Sequence, residues 1–374
     1  MANVSTVEAP TRGAEGSAVE RESSRSTDSG LKAFPDIAKI AAIVAVVTVH
    51  VAIRPNEGFH VLTDLAWLGT TAVETAMRWC VPLFVMVSGM LLVTPRTAEQ
   101  APGDFYRRRA ARVAVPLIGW TLFARVFNEL HAVPASLEEH IQAIYVGAPY
   151  YHLYFLFVIA GLYLVTPLLA RAISALSERQ LAITAISALT LGFLWGGLPP
   201  WLPSTGSNAF SQFAPFVGYF LAGCWLVRVQ LNRYVVPVSV AVFAVLLAAS
   251  TVGTYFFVST HGLELGRYLY GYLSPPVILM SICVFLVLRV LVERREAQGP
   301  IRHIRALHFV GEATFGIFLI HPFLFSLWGD LPPDVPTAGS SLALWLPATV
   351  AGLLAVSFVC TVVLKQIPYL RRLV

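Results

Sequence analysis

Apolar residues come in ten long runs, at 34–53, 78–95, 113–131, 152–170, 181–198, 212–228, 234–258, 269–290, 307–328 and 341–364, separated by polar connections. Each run is near the roughly 20 residues that a helix needs to cross about 30 Å of hydrocarbon. In lipid the backbone must satisfy its own hydrogen bonds, so runs of this length are expected to be helices. The pattern predicts an all-α, polytopic integral membrane bundle of about ten transmembrane helices. Residues 1–32 stand apart. They are rich in Ser, Glu, Arg, Gly and Thr without an apolar period, the composition of a disordered tail. No short apolar core with a cleavage site follows, so the first span is expected to be retained. The membrane domain is then 33–368, with 369–374 as a short tail. No connection is long enough for a soluble domain.

Composition agrees with a membrane protein. The chain is 56% hydrophobic and only 13% charged, where a soluble domain carries about a quarter charged residues. Charge also orients the bundle. Of its 26 basic residues, all but Lys39, Arg54, Arg78, Arg125 and Arg267 fall in the two terminal segments or the even-numbered connections. By the positive-inside rule that side is cytosolic, and both termini lie on it. The net charge of +5 follows from this bias and does not point to a nucleic-acid partner. A plasma-membrane, multi-pass location is expected. Cys80, Cys224, Cys283 and Cys360 all lie in apolar runs, none in a C-x-x-C pair. They are expected to pack as small apolar residues, with no metal site and no disulfide framework.

Ionisable residues inside the membrane cost about 2.5–3.5 kcal/mol at a span centre, so they usually line a cavity or pathway. In the first span Asp36 and Lys39 are three apart and share a helix face, placed to pair. His50 follows Lys39 by almost three whole turns, on the same face and roughly 16 Å further along the axis. That spacing suggests one polar stripe from a cytosol-side charge to a histidine in the outer half. At the cytosolic entry to the third span, Arg109 and Arg112 are also three apart. They suit topology, a lipid head group, or a clamp on a phosphorylated ligand. Glu74 and Arg78 have the spacing of a helix pair at the outer mouth of the second span. Structural pairing and acceptor binding both fit them. His152 and Tyr154 open the fourth span beside Tyr150 and Tyr151, where acceptor contact competes with an aromatic belt. Arg125 needs a partner, for which Glu74 is a candidate. Glu312 and His321 are nine apart, on opposite faces, and His321 is either structural or an acceptor contact.

Five features in order resemble the membrane acyltransferase family three. They are a basic residue (Lys39) eleven positions before His50, the Arg109-x-x-Arg112 pair, Val81-Pro-Leu-Phe-Val-Met-Val-Ser-Gly-Met90, the string from Tyr151 to Pro167, and Phe315-Gly-Ile-Phe-Leu-Ile-His-Pro322. The fourth-span string is similar to the branch that O-acetylates cell-surface polysaccharides. The resemblance spans about 33–366. It implies a ten-helix bundle that carries an acyl group from cytosolic acyl-CoA to an acceptor hydroxyl. It also implies that His50 is the catalytic histidine, with Arg109 and Arg112 at the donor's phosphates. Where the family usually has Arg, this chain has Lys39, which keeps the charge but not the bidentate fork.

The residue chemistry is compatible with that reaction. A sugar hydroxyl is a poor nucleophile, and a neutral histidine with a pKa near 6.5 suits the role of base. The donor, acetyl-CoA by default, is a substrate, and no permanently bound cofactor is expected. The acceptor would be a glycan or glycolipid, with membrane lipids as surroundings. Donors to a developing oxyanion are not singled out, and Ser88, Tyr154 and Arg125 are the candidates. Intramembrane His, Glu and Arg also suit a transporter of polysaccharide or lipid-linked intermediates. Its expected pair of broken spans in two halves is not evident.

Overall fold

The computed structural model describes residues 31–56, 63–131, 136–198, 208–329 and 339–374. Positions 1–30 of the expected tail lie outside the described residues. Among these residues all regular structure is helical. The principal helices are α1 (Phe34–Asn56), α2 (Asp64–Met77), α3 (Cys80–Leu92), α4 (Pro102–His131), α5 (Tyr154–Ser174), α6 (Glu178–Gly196), α7 (Val217–Leu226), α8 (Val235–His261), α9 (Pro275–Ala297), α10 (Ile304–Gly329) and α11 (Gly339–Gln366). Among the described residues eight helical segments are long and apolar enough to cross a membrane. The protein is therefore a multi-pass membrane protein. The expected fifth and sixth spans are also helical, as α6 and the shorter Ala214–Leu226. Neither meets the same criterion of length and apolarity. Most of α7 is buried by protein, which lets a short helix satisfy its surroundings without lipid.

The second span begins earlier than the apolar run suggested. Asp64–Leu92 forms one 29-residue path with a break at Arg78–Trp79. Pro82 explains the break. It has no N–H to give to the carbonyl of residue 78, and its ring crowds that carbonyl. The Arg78 amide instead bonds back to Thr75 at 3.2 Å. Thr63 caps α2 through its side chain. The kink directs Arg78 inward.

α1 is the axle of the bundle. It packs against α2, α3, α9, α10 and α11, and its small residues Ala38, Ala42, Ala45 and Val47 are almost fully buried. Small side chains let five neighbours approach one helix. α3 and α7 cross even more closely. A Cβ on Gly89 would lie 1.9 Å from the Phe220 carbonyl oxygen, and one on Gly223 would lie 1.9 Å from that of Met86. This reciprocal contact explains the glycine of the Val81–Met90 string. By contrast α8 and α11 expose Val, Leu and Phe side chains, as lipid-facing helices do.

Residues 369–374 are not a loose tail. Leu370–Arg372 forms a 3-10 turn, and the Trp120 indole N–H donates to the Leu373 carbonyl at 2.9 Å. Leu373 fills the notch over Gly119, where an added Cβ would meet its side chain at 2.5 Å.

Candidate active site

His50 lies near the end of α1, and His321 lies on α10, the neighbouring helix. Their ring nitrogens, His50 Nδ1 and His321 Nε2, are 2.8 Å apart. The rings are within 11° of parallel, with centroids 5.0 Å apart. That spacing and contact describe rings joined edge to edge by an in-plane hydrogen bond rather than stacked faces. The tautomers follow from the next link. His321 Nδ1 is 2.9 Å from the Ile317 carbonyl oxygen. A carbonyl only accepts, so His321 carries its proton on Nδ1 and offers the Nε2 lone pair. His50 must then donate through Nδ1. Its own Nε2 is left with a free lone pair, the form a proton acceptor needs.

His321 is fully buried and His50 is half-buried. Tyr151 meets the His50 ring edge-on at 5.1 Å. His152 is buried beside them, with its ring 6.0 Å from that of His321 and packed on Phe318 and Phe323. Neither nitrogen of His152 has a hydrogen-bond partner among the described residues. The histidines predicted from three separate spans therefore converge.

Glu74 and Arg78 form the predicted i,i+4 ion pair, but not at an open mouth. Their side chains are only 1% and 14% exposed. The Arg78 guanidinium lies 4.8 Å from the Tyr270 ring centre and 5.4 Å from that of Tyr272. Together the carboxylate and the aromatic faces compensate a cation that would otherwise be costly to bury. Arg78 Nε and the Tyr154 hydroxyl are buried without a hydrogen-bond partner among the described residues. Arg125 does not join Glu74. Its partner is Glu129 at 3.6 Å, and both are partly exposed. Sequence reasoning missed Tyr270 and Tyr272, which sit at the end of the 3-10 helix Arg267–Tyr270 and just after it, before α9, and carry no spacing signal.

Across the bundle lies a cavity of about 920 Å³. Lys39, Arg109, Arg112, Lys365, Arg371 and Arg372 line it, with Glu312 as the acidic side chain among its lining residues. Lys39 is held by Asp36 at 2.6 Å, as the three-residue spacing suggested. Asp36 also meets His308 at 3.0 Å, and His308 in turn meets Glu312 at 3.3 Å. Gly311 makes room for this network, since a Cβ there would lie 2.6 Å from Asp36 Oδ1. Arg109 is 5.8 Å from the rings of Phe105 and Tyr163. Pro116, also on the wall, deprives the Arg112 carbonyl of its helical donor. Ser88 lines the cavity as well.

The inner wall is aromatic. Phe84, Phe155 and Phe318 line the cavity. Their ring centres are 6.0 Å apart for Phe84–Phe155 and 5.3 Å for Phe155–Phe318. On its other side Phe318 touches the rings of His152 and His321, at 5.4 and 6.3 Å. Phe318 thus borders both the cation-rich cavity and the rings of His152 and His321.

The family model described as Acyltransferase domain, that of acyltransferase family 3, matches residues 32–364. No curated protein and no solved structure matches the chain.

Proposed function

We propose that this chain, which belongs to acyltransferase family 3, takes an acyl group, acetyl by default, from cytosolic acyl-CoA at the plasma membrane. The acceptor is a hydroxyl of an envelope glycan or a related glycosylated molecule. Acyl transfer as the reaction class follows from the family. Donor, acyl unit and acceptor belong to the proposal. The observation that carries it is the His50–His321–Ile317 relay, which leaves a base nitrogen on His50, with Phe318 packed between His321 and a cavity lined by six cations.

The donor's phosphates meet Arg109, Arg112 and Lys39, while its pantetheine arm passes the Phe84–Phe155–Phe318 layer. His50 Nε2 removes the proton from the acceptor hydroxyl as its oxygen attacks the thioester carbonyl. The carbonyl π electrons move to oxygen. Arg78 Nε and the Tyr154 hydroxyl are buried donors free to receive that charge. As the intermediate collapses, the C–S bond breaks and the leaving thiolate takes the proton from His50. The products are an O-acyl ester and coenzyme A. During the cycle the His50 imidazolium keeps its Nδ1–H on His321, which fixes the ring. His152 and the Tyr150–Tyr151 pair are assigned to the acceptor side.

The reading is tested by mass spectrometry of envelope glycans from cells with and without the gene. Loss of ester-linked adducts of about 42 Da, restored by wild type and not by His50→Gln, supports acetyl transfer. An unchanged glycan profile refutes the glycan acceptor.

A further inference from the structure

The cavity's cations come from α1, α4, α11 and the 370–372 turn, and the last of these was not legible in the chain order. Arg109 and Arg112 stand on α4. Arg371 and Arg372 stand on the 370–372 turn, after α11 has ended at Gln366. They line the same cavity. The turn is fastened there by the Trp120–Leu373 hydrogen bond and by Leu373 seated over Gly119. Within α11 itself Lys365 Nζ donates to the Glu312 carbonyl at 2.9 Å, which ties the helix end to the same wall. A surface tail with no role would need none of these anchors.

Resting on the acyl-CoA reading, we infer that the 370–372 turn is the outer half of the donor site, with Arg371 and Arg372 binding the 3′-phosphate of the nucleotide. Direction decides the assignment. The acyl end must point inward to His50, roughly three helical turns beyond Lys39. The nucleotide end therefore stays at the rim, where exposed Arg371 and Arg372 stand past the end of a span. Coenzyme A carries a pyrophosphate and a 3′-phosphate, set apart by the ribose. The α4 pair, whose Arg109 is half-buried beside Phe105 and Tyr163, takes the pyrophosphate. Two guanidinium groups suit a terminal phosphate, which accepts bidentate hydrogen bonds. An anionic lipid head group offers the same chemistry at this surface, so the test separates the two.

Binding of coenzyme A and of dephospho-coenzyme A, which lacks the 3′-phosphate, is measured on the purified full chain by calorimetry. Wild type and Arg371→Gln/Arg372→Gln are compared. Charged hydrogen bonds predict that the double variant binds coenzyme A about 10–100-fold more weakly. Its affinity for dephospho-coenzyme A stays within about twofold. Trp120→Phe keeps both arginines and the ring but releases the turn, and it should lose the same preference in part. Equal weakening of both ligands, or no weakening, overturns the inference. So does a variant that loses binding to phosphatidic acid in nanodiscs while keeping its coenzyme A affinity, which puts a lipid head group there. If wild type binds neither nucleotide, the acyl-CoA reading itself fails, and the inference with it.

Discussion

Replacing His321 with Leu tests whether the second histidine sets the first. The substitution removes the acceptor 2.8 Å from His50 Nδ1 and fills a fully buried position with an apolar side chain of lesser reach. Two effects follow. The His50 proton is no longer held on Nδ1, so part of the population presents a protonated Nε2 that cannot act as base. The imidazolium formed during transfer also loses a charged hydrogen bond, worth about 1.5–3 kcal/mol. Together they predict a fall in kcat of about 10–100-fold, with KM for the acyl donor unchanged because His321 does not line the cationic cavity. His321→Gln, whose amide oxygen can accept from His50, should recover part of the loss. The assay is steady-state release of coenzyme A thiol by protein purified in detergent, beside acyl-CoA binding as a fold control. A His321→Leu protein with kcat within about twofold of wild type would refute the relay. His50 would then act without its neighbour.

Arg109→Ala and Arg112→Ala are each expected to weaken acyl-CoA binding by about 1.5–3 kcal/mol without lowering thermal stability. Unchanged affinity in the double variant would reduce them to topology signals. Gly89→Ala drives a methyl into the Phe220 carbonyl. It should destabilise the α3–α7 crossing by about 1–3 kcal/mol or more, read as a lower melting temperature in detergent. Retention of the wild-type midpoint would show that the two helices separate freely. For orientation, Gln298→Cys should escape impermeant thiol reagents in intact cells while His140→Cys reacts, because basic residues flank position 298. The reverse pattern inverts the bundle.

What was legible in the sequence was local. Asp36–Lys39 and Glu74–Arg78 are three and four residues apart, so helical geometry alone pairs them. The Lys39–His50 alignment also rests on one straight helix. The His50–His321 contact joins residues 271 apart, and no periodicity within either span encodes it. His321 was singled out, but as a structural or acceptor-side residue rather than as the partner of His50. The burial of Arg78 depends on Tyr270 and Tyr272 beyond its own helix, so it looked like a mouth residue. The cations of the 370–372 turn looked like a topology signal, because the anchor of that turn is Trp120 in another helix. The break at Arg78 did have a local cause, Pro82 four residues on. The apolar run masked it by starting near the same place.

The most direct test of acyl transfer through His50 uses purified protein, deuterium-labelled acetyl-CoA and envelope glycan from cells lacking the gene. The proposal predicts that the label appears on the glycan in alkali-labile ester linkage with wild type. With His50→Gln it falls by roughly 10²–10⁴-fold, although that variant still binds acetyl-CoA. Label transfer by His50→Gln at more than about a tenth of the wild-type rate would contradict a general-base role for His50.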